Sequence, residues 1–304
     1  HTALNLLIPS GTAIQNARTS FLGDAFNRDG YHLEVTYGRY TAACTWFEMI
    51  TGQNVVGNPY APETIDPQVV KVAQNAAHYA VQKPDEVTDM VNFKEPEISG
   101  TDLKAPVYID FGPTSLSATP WNNITSYLES STTSWIKDAE NNYTNIGVRV
   151  LGGFTANYAG VSGEPASPVT VDDVEFPLTA WKDGLLVGGE KNKGDVGPGR
   201  IEISQLDASR KYNFTILAIR FNGSKDARIS SYKLVGKTES EVKEVKTGIK
   251  DVAAFNAAKF EEYIAKFENI EPDSEGKVIV EVKGIDTSLA AEGHINALCI
   301  SPVK

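Results

Sequence analysis

Tyr212-Asn-Phe-Thr-Ile216 and Val278-Ile-Val-Glu-Val282 each place an apolar side chain at every second position. Successive side chains of a strand point to opposite faces, so this period of two predicts strands with one apolar face. Working outward, the same signature recurs in Val107–Phe111, Ile146–Val150, Arg200–Ser204, Ile229–Val235 and His294–Ile300. The Tyr212 run extends as Leu217-Ala-Ile-Arg220, and turn chemistry such as Glu275-Gly276 separates neighbouring strands. Many short strands joined by loops predict an all-β sandwich over residues 105–304.

Residues 1–84 carry a different pattern. Leu4 to Ile8 is a short apolar run ending at Pro9, as expected of a buried strand of a parallel sheet. A polar loop is predicted from Ser10 to Arg28, then a helix from Leu33 to Ile50. Tyr40, Ala43, Phe47 and Ile50 form its apolar face and Gly52 stands at its C-cap. A second helix opens with Asp66 as N-cap and Pro67 at the first helical position, and it stops at Pro84. Val69, Ala73, Ala76, Ala77 and Ala80 form its buried stripe. A strand feeding helices predicts the closing part of an α/β domain. Residues 85–104 mix charges with Pro96 and Gly100 and are predicted to be a linker.

The chemistry-bearing residues are Asp29 and His32, three apart on the turn that enters the first of these helices. A carboxylate there can hold the imidazole in one tautomer and stabilise it when charged. That supplies two members of an acyl-transfer triad. The third is missing: Ser115 in Gly112-Pro-Thr-Ser115 and Ser162 before Gly163 stand in the β-rich half, without a strand-turn-helix elbow. Gln15, Asn16 and Arg18 form a polar cluster in the preceding loop and are candidates for lining a pocket.

The loop Pro9-Ser10-Gly11-Thr12-Ala13-Ile14-Gln15-Asn16-Ala17-Arg18, the Asp29/His32 pair, Gly38-Arg39-Tyr40 and Trp46-Phe47-Glu48 together resemble the carboxy-terminal end of the SGNH (GDSL-like) hydrolase superfamily, in a bacterial branch. The resemblance spans about residues 1–84. It implies a flavodoxin-like α/β fold, with His32 as general base and Asp29 as its orienting partner. It also implies that the nucleophile serine and oxyanion donors lie on an upstream part of the same domain, which this sequence does not contain. Triad members act as a unit, and losing the nucleophile alone costs about 10⁶ in kcat. This chain by itself is therefore expected to be inactive, and the parent protein to be a serine esterase acting on acetyl groups of a carbohydrate.

Val107-Tyr-Ile-Asp-Phe-Gly112, Trp121-Asn-Asn123, Tyr212-Asn-Phe-Thr-Ile216 and Gly293-His-Ile-Asn-Ala-Leu298 resemble the galactose-binding-like β-sandwiches that end secreted polysaccharide-degrading enzymes. That resemblance implies a carbohydrate or acylated polysaccharide partner, a jelly-roll-type sandwich, and a secreted, periplasmic or cell-surface location. Trp121 and Trp181 are candidate stacking platforms for sugar rings. The alternative function is a non-catalytic carbohydrate-binding or structural β-sandwich protein, with the helical segment as a remnant.

Composition narrows the partners. The 304 residues carry 28 basic and 39 acidic side chains, a net charge of -11. Phosphate backbones require a basic stripe, so nucleic acid is not expected. No run reaches the ~20 apolar residues of a membrane-spanning helix. The four histidines and two cysteines lack metal-ligand spacing, so neither metal nor cofactor is expected. Cys44 and Cys299 are predicted to be buried free thiols.

Overall fold

The computed structural model describes residues 6–28, 31–98, 103–158, 168–188, 198–221, 228–249, 257–285 and 291–304. The chain divides into two compact units, His1–Glu97 and Ile98–Lys304.

The first unit is a packed set of three helices, α1 (Ser10–Arg18), α2 (Tyr37–Thr51) and α3 (Pro67–Gln82). α1 occupies the stretch expected to be a loop. Its core contacts come from Ala13, Ile14 and Ala17, one and four residues apart, a spacing that aligns them on one helical face. α3 matches its sequence signals. The Asp66 carboxylate accepts the Gln68 amide at 2.8 Å, and Val69, Val72, Ala73, Ala76, Ala77 and Ala80 are buried. α2 ends at Gly52, whose φ of +70° is the left-handed conformation of a C-cap glycine.

The face that α2 buries differs from expectation: Tyr40, Thr41, Cys44, Thr45 and Glu48 are inside, while Ala43 and Ile50 are exposed. The two threonines tolerate burial because their hydroxyls donate to the helix's own carbonyls, Thr41 to Tyr37 at 2.8 Å and Thr45 to Thr41 at 3.0 Å.

Two further expectations need correction. Residues 1–5 lie outside the described residues, and Leu6 and Leu7 are exposed and belong to no strand. Among its described residues this unit contains helices and a single Asn27–Leu33 bridge, so the sheet of the expected α/β fold is not seen. Residues 85–97, assigned to the linker, belong to the helical unit. Met90 is buried with Ile14, Phe26, Val72 and Ala76, and Phe93 packs against them.

The second unit is a β-sandwich. One sheet orders its strands β15 (Ile264–Ile270), β10 (Tyr212–Leu217), β18 (Ala297–Pro302), β1 (Val107–Phe111) and β2 (Trp121–Ile124). The facing sheet runs β13 (Lys243–Lys246), β12 (Ile229–Val235), β16 (Val278–Ile285), β9 (Gly199–Ser204), β4 (Gly147–Gly152) and β3 (Thr132–Thr133). Their inner faces share one core. Val107, Ile109, Phe111, Phe214 and Ile216 come from the first sheet, and Val148, Val150, Ile201, Val278, Val280 and Val282 from the second. Each fully buried side chain of this kind contributes roughly 1.5–3 kcal/mol.

Smaller sheets accompany these: β17 (Glu292–Ile295), β8 (Gly184–Gly188) and β5 (Ala156–Tyr158) form one, and β11 (Arg220–Phe221) pairs with β14 (Gly248–Ile249). A second apolar cluster joins Leu217, Ala297 and Cys299, on the outer face of the five-stranded sheet, to three other groups. These are the hairpin of β6 (Val169–Val171) and β7 (Val174–Phe176), the short helix α4 (Thr179–Lys182), and Phe260. Both cysteines are free and buried, and burial raises their pKa values, Cys44 to about 11 and Cys299 to about 12.

Candidate functional site

His32 sits exposed on a turn closed by the Asn27–Leu33 bridge, and the Arg28 amide donates to the His32 carbonyl at 3.1 Å. Its expected partner Asp29 lies outside the described residues, as does Ser162. Tyr31 packs on the imidazole with ring centroids 4.0 Å apart. The other polar candidates of this unit stand on α1 and divide by face. Gln15 and Arg18 are at the surface, where Arg18 Nη1 donates to Gln15 Oε1 at 3.2 Å and Arg18 Nε meets Asp24 Oδ1 at 2.8 Å. Asn16 is fully buried. Its amide nitrogen donates to the Ala76 carbonyl at 3.1 Å and its oxygen accepts the Thr88 amide at 2.7 Å. This is a bolt between segments rather than a pocket lining.

A carboxylate–imidazole pair unseen in the sequence links α2 to α3. Glu48 Oε1 lies 2.7 Å from His78 Nδ1, and Glu48 Oε2 accepts the Val55 amide at 3.0 Å. His78 Nε2 is 2.8 Å from Gln82 Nε2, so both ring nitrogens are occupied within the fold.

In the sandwich, the two tryptophan candidates part company. Trp121 is half-buried and stacks on Tyr108, with centroids 5.2 Å apart. Trp181 is 1% exposed, on α4, in edge contact with Phe260 at 5.4 Å. It is a core residue and offers no face to a sugar ring, because its apolar surface is spent on the second cluster.

A cleft of about 200 Å³ opens on this unit. Asn142, Tyr143, Asn145, Gln205, Asp207 and Lys104 are among its lining residues. Asp138, also in its wall, shapes the turn by accepting the Glu140 and Asn142 amides at 3.0 and 2.9 Å on Oδ1. The Ser209 hydroxyl and amide, at 2.7 and 2.8 Å, hold Asp207 below the usual carboxylate value. The Lys137 ammonium lies 4.4 Å from the centroid of the Tyr143 ring. Sequence reading missed this cleft, because its residues come from separate stretches of the chain.

Two buried polar clusters complete the unit. Arg228, 2% exposed, is ion-paired to Glu292. His294 beside them is fully buried, and desolvation, then the charges of Arg220 and Arg228, hold it well below its usual pKa, so it is neutral. Asp110 and Asp183, both fully buried, flank the turn after β1. Asp183 Oδ2 accepts the Thr114 amide and hydroxyl, each at 2.7 Å, and the Ser115 amide at 3.2 Å. Ser115 is therefore a turn residue over a carboxylate, with no imidazole among these contacts. Among the described residues, no group of three or more His, Cys, Asp or Glu could hold a metal ion, and no helix is long and apolar enough to cross a membrane.

Residues 2–80 match the family described as a domain of unknown function, DUF4886. A solved DUF4886 family protein from Bacteroides uniformis is 67% identical over 29% of this chain and 34% of its own, with a TM-score of 0.28. The chain thus spans about a third of that relative's length. TmCBM61, solved with β-1,4-galactotriose, is similar over 40% of this chain and 72% of its own, at 13% identity and TM-score 0.25. The CBM36-1 domain of a multidomain xylanase from the hindgut metagenome of Trinervitermes trinervoides is similar over 48% of this chain and 92% of its own, at 15% identity and TM-score 0.26. No curated protein matches.

Proposed function

We propose that residues 98–304 form a carbohydrate-binding β-sandwich that seats a sugar unit of a polysaccharide in the cleft beside Tyr143. The chemistry of that cleft carries the reading. A sugar presents hydroxyls around an apolar ring face, so its site needs several convergent donors and acceptors and an aromatic surface. Asn142, Asn145, Gln205 and Asp207 supply the former and Tyr143 the latter. The volume of about 200 Å³ lies below the ~300–1,000 Å³ usual for drug-sized ligands, which suits a terminal unit better than a long stretch of chain. A polysaccharide partner implies work at or beyond the cell surface. Calorimetric titration with galactan, xylan and arabinan fragments tests this. Binding of at least one at millimolar concentration is expected, with Tyr143→Ala weakening it at least tenfold. Absence of binding to all three, or unchanged affinity in the variant, refutes the reading.

A second reading concerns the helical unit. His32 stands exposed beside the Asn27–Leu33 bridge. In the longer SGNH-type hydrolase that this segment resembles, His32 would accept the proton of an attacking serine while Asp29 orients the imidazole. The expected outcome is a loss of p-nitrophenyl acetate hydrolysis of at least 10³-fold in the full-length protein on His32→Ala. Equal rates exclude it.

A further inference from the structure

We propose that Asp110 is held as a carboxylic acid beside Asp183 in the folded sandwich, which makes this unit more stable in mildly acidic than in alkaline solution. Both side chains are fully buried, and both accept hydrogen bonds from the same turn. Asp183 Oδ2 takes the Thr114 and Ser115 amides, and Asp110 Oδ2 takes the Ser117 amide at 3.0 Å. On each carboxylate the other oxygen, Oδ1, is buried without a hydrogen-bond partner. Two such acceptors in one interior are costly as anions, since desolvation and mutual repulsion both disfavour the second charge. A proton removes one charge and converts one acceptor into a donor.

From β2, Asn123 Oδ1 accepts the same Ser117 amide at 2.8 Å, and from α4 the Thr179 hydroxyl pairs with the Ser117 hydroxyl at 2.8 Å. Asn296 donates to the Trp181 and Asp183 backbone carbonyls at 3.2 and 2.8 Å. The titratable and charged neighbours on the packed elements include Tyr108 on β1, Cys299 on β18 and Tyr158 on β5, whose pKa values are all raised by burial, Lys182 on α4, and Arg220 on β11, whose guanidinium lies 4.3 Å from the Tyr158 ring centroid. The first three stay neutral through the relevant range. Two carboxylates fall short of the six to eight oxygens that calcium prefers.

Burial, and then repulsion from Asp183, raise Asp110 from 3.8 to about 7. The sign follows from linkage. Between those two values the folded state binds more protons than the unfolded chain, so stability falls as pH rises from about 4 to 7 and levels off above it.

Thermal unfolding of the full chain at pH 6 and pH 8, for the wild type and Asp110→Asn, tests the pair. The wild type should melt several degrees higher at pH 6. Asp110→Asn, which keeps an acceptor for Ser117 and adds a permanent donor, should melt no lower than the wild type at pH 8 and should show a smaller pH difference. An unchanged pH difference in the variant overturns the proposal. So does a rise in the wild-type melting temperature with millimolar calcium that a chelator reverses, because a cation would then occupy the gap. Should the variant fail to fold, infrared spectroscopy of the wild type decides: a protonated-carboxyl band that disappears as pH passes 7 is expected, and its absence at pH 6 refutes the pair.

Discussion

Single residues set the geometry of the turn between β1 and β2. Gly112 has φ +138°, a conformation that side-chain-bearing residues rarely adopt, and a Cβ there would overlap the Asp183 carboxylate. The missing side chain is what lets Asp183 reach the Thr114 and Ser115 amides. Gly112→Ala combines backbone strain with loss of that contact, so a cost of about 3 kcal/mol is expected, read as a lower urea midpoint at unchanged slope. The reason lies outside local sequence. Gly112 stands next to Pro113, as in any surface turn, and Asp183 is far along the chain. The same separation hides the pairing of Glu48 with His78. Asp29 and His32 could be singled out because they are three residues apart, whereas groups joined only by folding leave no spacing to notice.

Elements were legible where one physical rule dominates. Val278, Val280 and Val282 read as one face of a strand, and all three have 0% exposure, because a two-layer sandwich sorts side chains by parity. α3 was legible because its cap and its alanine stripe agree. Replacing Asp66 by alanine removes the oxygen that accepts the Gln68 amide and should destabilise the helical unit by about 1 kcal/mol in urea unfolding monitored by circular dichroism. α1 and α2 were obscured for opposite reasons. α1 is polar and short, and three small or medium apolar residues suffice to seat it. α2 conceals threonines, a glutamate and a tyrosine whose polar atoms are satisfied internally, so apolarity alone pointed to Ala43 and Ile50, which face outward.

Across the whole molecule, composition set useful limits and topology supplied what composition cannot. The acidic balance of -11 was readable at once, and it fits a neutral or cationic ligand better than an anionic polymer. The placement of the cleft was not readable, since Lys104, Tyr143 and Asp207 belong to three separate turns. Which strands end each sheet was likewise invisible before the order of pairing was known. β13 is one such margin, and three of its four residues, Lys243, Glu244 and Lys246, are exposed and charged. Unpaired backbone donors and acceptors along a margin invite another chain to add itself, and ranked charges make that addition unfavourable. β13 is thereby a built-in safeguard against edge-to-edge pairing, a hazard for any protein that presents an open sheet margin at high local concentration.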